Sequence, residues 1–212
     1  MSARDTSAGM SRFLLNQERD YFVLIGGIQQ RARHNSKRGI HGMTEQSRIY
    51  RQVLGSFATG VAIVTTKYEQ QYFGLTINSF TSVSLDPRLI QINIAKNTTS
   101  HDLIAGSQVF TVNILAEDQV HLSNIFSGAP PAERFNHVNT WETQSGCPVI
   151  EGSLAFIDVR VTATCDGGDH TIFIAEVHEM QTLREDARPL LYYRGKYARM
   201  AADDQDGSTG SA

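Results

Sequence analysis

Three short stretches carry residues able to do chemistry. The first is GLTINSFTSVSLDP, residues 74–87. It alternates like a strand, yet Thr76, Asn78, Ser79, Thr81, Ser82 and Ser84 stand where a purely structural strand would use Val and Ile. Short hydroxyl and amide side chains add donors and leave backbone N–H groups accessible, which suits a flat, uncharged, hydrogen-bonding ligand or a phosphate. An edge strand with a polar outward face reads the same way, and this stretch alone favours neither. The second stretch, KNTTSH (96–101), follows the next apolar run and opens a helix, where amides and the helix dipole attract an anion. The third, DGGDHTIFIAEV (166–177), sets Gly167-Gly168 in a tight turn and Asp169-His170 at the tip of a long strand. A histidine there can donate a hydrogen bond to a ligand without being a general base, or it can simply cap the turn.

The elements that must position these residues are legible from periodicity. Thr44 is a plausible N-cap, and Ile49, Val53, Leu54 and Phe57 recur at helical spacing, with a stop near Gly60. VAIVTTK (61–67) and YFGLTIN (72–78) form a hairpin turned by YEQQ. In LIQINIA (89–95), Leu89, Gln91 and Asn93 face one side and Ile90, Ile92 and Ile94 the other. A short helix over 100–107, a strand over 109–115 and a helix over 117–126 follow. The stretch 128–148 is loop-rich, and two long strands, 153–165 and 170–183, precede the closing segment PLLYYRGKYARM (189–200). Strands outnumber helices, and most are joined by short turns. The predicted class is therefore mainly β, a β-rich α+β chain with an antiparallel sheet of six or seven strands. Closure into a barrel is favoured because it removes edges.

The chain has 212 residues and a net charge of −3, which suits one domain and carries no basic footprint for nucleic acid. Residues 1–43 lack sustained periodicity and read as a poorly ordered extension. YFVLIGGI (21–28) is too short for a membrane span and has no convincing signal-peptide cleavage site after it. The tail 201–212 has the composition of a disordered segment, which leaves 44–200 as the domain. Cys147 and Cys165 form no metal or redox motif, so a reduced, cytoplasmic chain is expected. No metal site is expected either: the seven histidines make no H-x-x-x-H pair. The dinucleotide fingerprint G-x-G-x-x-G after a strand, the P-loop and G-x-S-x-G are all absent.

In this order, the three stretches resemble the flavin reductase-like family, the reductase components of two-component flavin-dependent monooxygenases. The resemblance rests on FATGVAIVTT (57–66), GLTINSFTSVSLDP (74–87), FTVNILAEDQ (110–119), GDHTIFIAEV (168–177) and PLLYYRGKY (189–197), and it covers nearly all of 44–200. It implies an FMN-binding split β-barrel with Greek-key topology, a few flanking helices, and a homodimer. It also implies binding of FMN or FAD, with NADH or NADPH as reductant. Carried over by residue, Thr76, Ile77, Asn78, Ser79, Phe80, Ser82 and Val83 would contact the flavin ring and ribityl chain. Asn97, Thr98, Thr99 and Ser100 would hold the phosphate end. His170 would lie by the nicotinamide as the catalytic-site histidine, with Arg194, Gly195, Lys196 and Tyr197 near the same site. Two departures stand out: Arg88, where the family commonly has a second proline, and Asn97, where it has a basic residue, although Lys96 is adjacent.

The implied function is hydride transfer from NAD(P)H to FMN or FAD, with reduced flavin diffusing to a partner monooxygenase, and with neither nucleic acid nor membrane as partner. Such a site needs ring stacking and donors toward the charge that grows on the flavin, not a side-chain base. Two alternatives stay open. One is a non-catalytic flavin carrier or sensor. The other is an oxidoreductase that keeps flavin as a prosthetic group and acts on a small organic substrate.

Overall fold

Thr44 starts the first element as the spacing predicts: its hydroxyl accepts from the Ser47 amide and caps helix α1, Glu45–Leu54. The computed structural model describes residues 44–136 and 138–201. The expectations for 1–43 and 202–212 lie outside them. The helix ends at Gly55, short of the predicted Gly60: beyond it the Ser56 and Phe57 amides bond three residues back, to the Val53 and Leu54 carbonyls, and the α-helical ladder stops. Gly60 belongs instead to a two-residue strand, β1 (Thr59–Gly60).

Strands β2 (Ala62–Tyr68) and β3 (Gln71–Ile77) form the predicted hairpin. Its turn uses Glu69 and Gln70, both at positive φ, where glycine or asparagine is commoner. Strands β4 (Thr81–Leu85) and β5 (Arg88–Ala95) form a second hairpin, turned at a cis Asp86–Pro87 bond. Helix α2 (Thr99–Ser107) leads into β6 (Val109–Ile114). A 3-10 turn over Glu117–Gln119 enters helix α3 (Val120–Gly128). The predicted loop 128–148 contains a small hairpin of β7 (Thr140–Glu142) and β8 (Pro148–Ile150). The long strands are β9 (Ala155–Gly167) and β10 (His170–Thr182), and the chain closes on β11 (Leu191–Tyr193) and β12 (Lys196–Ala198).

The main sheet runs β3-β2-β6-β9-β10-β5-β4, every pair antiparallel. Its two edges, β3 and β4, are joined by only three residues, Asn78–Ser79–Phe80. A flat seven-stranded sheet would hold those edges about 29 Å apart. From Ile77 to Thr81 the chain can reach at most about 14 Å. The sheet must therefore curl until its edges nearly meet. No ladder joins β3 to β4, so the barrel stays open along one seam. This is the split form that the resemblance implies, not a closed ring.

Inside the curl, Ile90, Ile92 and Ile94 of β5 pack with Phe110, Val112, Val159 and Phe173. A second cluster, with Ile63, Leu115, Phe126 and Leu190, seats α3. Buried polar groups tie the small hairpin down. Asp158 accepts from Thr111, Thr143 and Ser145 at 2.7–3.0 Å. Asn113 accepts from the Ile150 amide at 2.8 Å.

Candidate active site

The seam holds a cavity of about 380 Å³. That lies within the usual size of small-ligand pockets. Its walls come from five places: the end of β3 with Thr76 and Ile77, the crossing link with Asn78 and Ser79, β5 with Asn93 to Ala95, the α2 cap Thr98, and the β9–β10 turn with Gly167, Asp169, His170 and Ile172. Tyr50 and Leu54 of α1 complete it.

Six of the predicted site residues thus meet at one place: Thr76, Ile77, Asn78, Ser79, Thr98 and His170. Their hydroxyls, however, mostly serve the fold. Thr76 Oγ1 donates to the Ser123 carbonyl at 2.8 Å and fastens β3 to α3. Ser79 Oγ donates to the Asn93 carbonyl at 2.9 Å and accepts from the Asn93 amide at 3.2 Å. Ladder pairing of β4 with β5 reaches only Gln91, so at Asn93 a side chain stands in for the missing strand and staples the seam. Thr98 Oγ1 donates to the Ala95 carbonyl at 2.8 Å and accepts from the His101 amide, the cap that starts α2.

The other predicted residues fall outside this cavity's lining. Phe80 packs on the core, and Ser82 and Val83 lie exposed on β4 beside a register shift. Asn97 is exposed, while Thr99 and Ser100 sit in the first turn of α2. Arg194 and Gly195, both at positive φ, turn the β11–β12 hairpin, and Lys196 follows them. The Arg194 amide donates to the Gly55 carbonyl at 2.8 Å. Tyr197 donates to Ser123 Oγ at 2.8 Å and holds α3.

The β9–β10 turn, part of the cavity lining, is pinned in place. Lys96 pairs with Asp166 and donates to the Gly168 carbonyl at 2.7 Å, and its amide donates to the Asp169 carbonyl. Lys96, the basic residue adjacent to Asn97, is thereby engaged in holding the turn. The ammonium of Lys96 keeps the Asp166 carboxyl below the usual aspartate range. The His170 ring does the same for Asp169, bonded at 2.7 Å. His101 Nε2 meets Thr171 Oγ1 at 2.9 Å and links α2 to the strand that carries His170. Among the described residues no three His, Cys, Asp or Glu side chains are grouped to hold a metal ion.

The residue that sequence reasoning missed is Asn93. Its Oδ1 is buried without a partner, at the cavity. The period-two pattern of β5 already placed Asn93 on the non-core face, and a carboxamide there is the signal that was available. Tyr50 and Leu54 were also missed, because helical spacing marks an apolar face without saying what it covers.

The family model described as "Flavin reductase like domain" matches residues 54–201. The chain is 38% identical over 156 residues to the flavin-dependent monooxygenase reductase subunit HsaB of Rhodococcus jostii, covering 74% of this chain and 79% of that one. It is 38% identical over 158 residues to the FMN reductase (NADH) SmoA of Agrobacterium fabrum, covering 74% and 88%. The NADH:FAD oxidoreductase SgcE6 of Streptomyces globisporus, solved with NAD and FAD fragments, superposes with a TM-score of 0.71 at 31% identity, covering 78% of this chain and 99% of that one.

Proposed function

The chain belongs to the flavin reductase-like domain family, and on that premise we propose that it is an NAD(P)H:flavin oxidoreductase that supplies reduced FMN or FAD to a partner monooxygenase. The single observation that carries the reading within the fold is the seam cavity, where six residues of the family's pattern converge. The residues present fit a flavin. The cavity has the right size class, a buried carboxamide oxygen there lacks a partner, and a capped helix start stands at one end.

The cofactors supply the hydride chemistry, from nicotinamide C4 to flavin N5. The chain's own residues bind and orient. In this reading Thr76, Ile77, Asn78 and Ser79 form the wall against the ring, and Thr98 with the first turn of α2 faces the phosphate end. His170, braced by Asp169, orients the nicotinamide. The unit that does this is 44–200. It works in the reducing cytoplasm, consistent with two free cysteines. Among the described residues no helix is long and apolar enough to cross a membrane.

A homodimer completes the reading. The α1 helix buries none of its residues, yet it exposes Ile49, Val53 and Leu54, with Phe57 just beyond it at 78% exposure. A second copy laid on that face would cover them and close the cavity wall that Tyr50 and Leu54 begin.

The test is oxidation of NADH and of NADPH by the purified protein with FMN, FAD or no flavin. Oxidation that requires added flavin and saturates with it is the expected result. Bound flavin without turnover would instead make the protein a carrier or sensor. Turnover supported by co-purified flavin alone would make it a prosthetic-group enzyme.

A further inference from the structure

Among the described residues three buried side-chain polar atoms lack a hydrogen-bond partner: Thr59 Oγ1, Asn93 Oδ1 and Ser153 Oγ. Of these only Asn93 lines the cavity. Buried carbonyl oxygens are rarely left unpaired, because losing water without a substitute is costly. The backbone of Asn93 is also held unusually well for a site at a gap in the sheet. One edge pairs with β10, Asn93 opposite Ile172, and the other is bonded at both N and O by Ser79 Oγ. The carboxamide is therefore presented from a fixed platform.

The register fixes its neighbours as well. His170 lies opposite Ala95, the next residue on the same face of β5. Asn93 and His170 are thus diagonal neighbours on one surface. The small Ala95 between them leaves a shelf against which a flat ring can lie. A ligand that fills the floor of this shelf must bring a hydrogen-bond donor, N–H or O–H, to the Asn93 oxygen. An oxidised flavin ring carries one such group, the imide N3–H between its two carbonyls.

We propose that the Asn93 carboxamide accepts the flavin N3–H and so selects for an imide-bearing ring at this site. The proposal rests on the flavin-reductase reading. It adds a specificity residue that no motif in the sequence marks, and it gives the hydroxyl of Ser79, itself on the cavity wall, a role: it positions Asn93.

The test needs no turnover. The full chain is titrated with FMN and with N3-methyl-FMN, and binding is followed by flavin fluorescence, for the wild type, Asn93→Ala and Asn93→Asp. The wild type should bind the methylated flavin about tenfold more weakly, the loss of one buried hydrogen bond. Asn93→Ala, which removes the acceptor and makes room for the methyl group, should bring the ratio near one. Asn93→Asp, which keeps an acceptor in place, should preserve discrimination. Equal affinities in the wild type, a comparison that requires no folded variant, overturn the proposal. So does an Asn93→Ala protein that keeps the full ratio. Unchanged FMN affinity in Asn93→Ala with a raised KM for NADH also overturns it, and reassigns Asn93 to the nicotinamide. If FMN itself fails to bind the wild type, the flavin reading falls, and this proposal falls with it.

Discussion

His170 and its braces define what single side chains contribute. His170→Ala should raise the KM for NAD(P)H by roughly tenfold, about 1.4 kcal/mol of binding, and leave the KM for flavin nearly unchanged. Equal losses in both would remove the histidine from the nicotinamide side. The two aspartates of the turn set a pH dependence of definite sign. Asp166 and Asp169 are both held below their ordinary range, by Lys96 and by His170. Their contribution is complete above the unfolded aspartate pKa of about 4 and disappears as the pH falls through the lowered folded values. The melting temperature of wild type should exceed that of Asp166→Asn by a small, constant margin at neutral pH, because both partners are well exposed. That margin should vanish in acid, and a margin that grew in acid would contradict the pairing. The sequence put His170 at the tip of a long strand, where it stands, because a glycine turn before a long strand leaves few choices. It did not reveal that the hydroxyls of Thr76 and Ser79, both on the cavity wall, donate to the Ser123 and Asn93 carbonyls. A hydroxyl on a strand gives no sign of whether a carbonyl from a distant segment will claim it.

Between elements, β3 and α3 approach closely at Gly74. A Cβ on Gly74 would fall 2.8 Å from Phe126 Cε1, and that ring is fully buried. Gly74→Ala should therefore cost about 1–3 kcal/mol by overpacking, whereas Gly128→Ala, with open space at its Cβ, should cost far less. Comparing the two in denaturant melts tests the seating of α3. Ser79→Ala removes both bonds that hold β5 beyond the end of β4. Its expected cost is about 1–3 kcal/mol, together with weaker flavin binding, because the platform under Asn93 loosens. Unchanged flavin affinity would show that β10 alone fixes Asn93. Most elements were legible from periodicity, including the Thr44 cap and the alternation of β5. The β7–β8 hairpin was not, since its three-residue strands are too short to show a period and are fixed by Asp158 and Asn113 from elsewhere.

For the molecule as a whole, the apolar face of α1 makes the assembly testable. Light scattering should give twice the 23.5 kDa chain mass. Val53→Asp should shift it toward one chain, since it places a charge in the apolar face that a partner would cover. A monomeric wild type would end the homodimer reading. The antiparallel sheet was visible in the sequence, whereas β4 as a strand of its own and the strand order were not. Pairing of β6 between β2 and β9 depends on contacts between residues far apart in the chain. The three-residue link from β3 to β4 also bears on how quickly the native topology can form. The pairing of Asn93 with Ile172 joins positions 79 apart, a slow search for a chain. Once that ladder is in place, the link brings the remaining edges together with almost no further loop-closure entropy. Refolding rates should therefore fall with substitutions at the β5–β10 ladder, while changes at the seam should act mainly on unfolding.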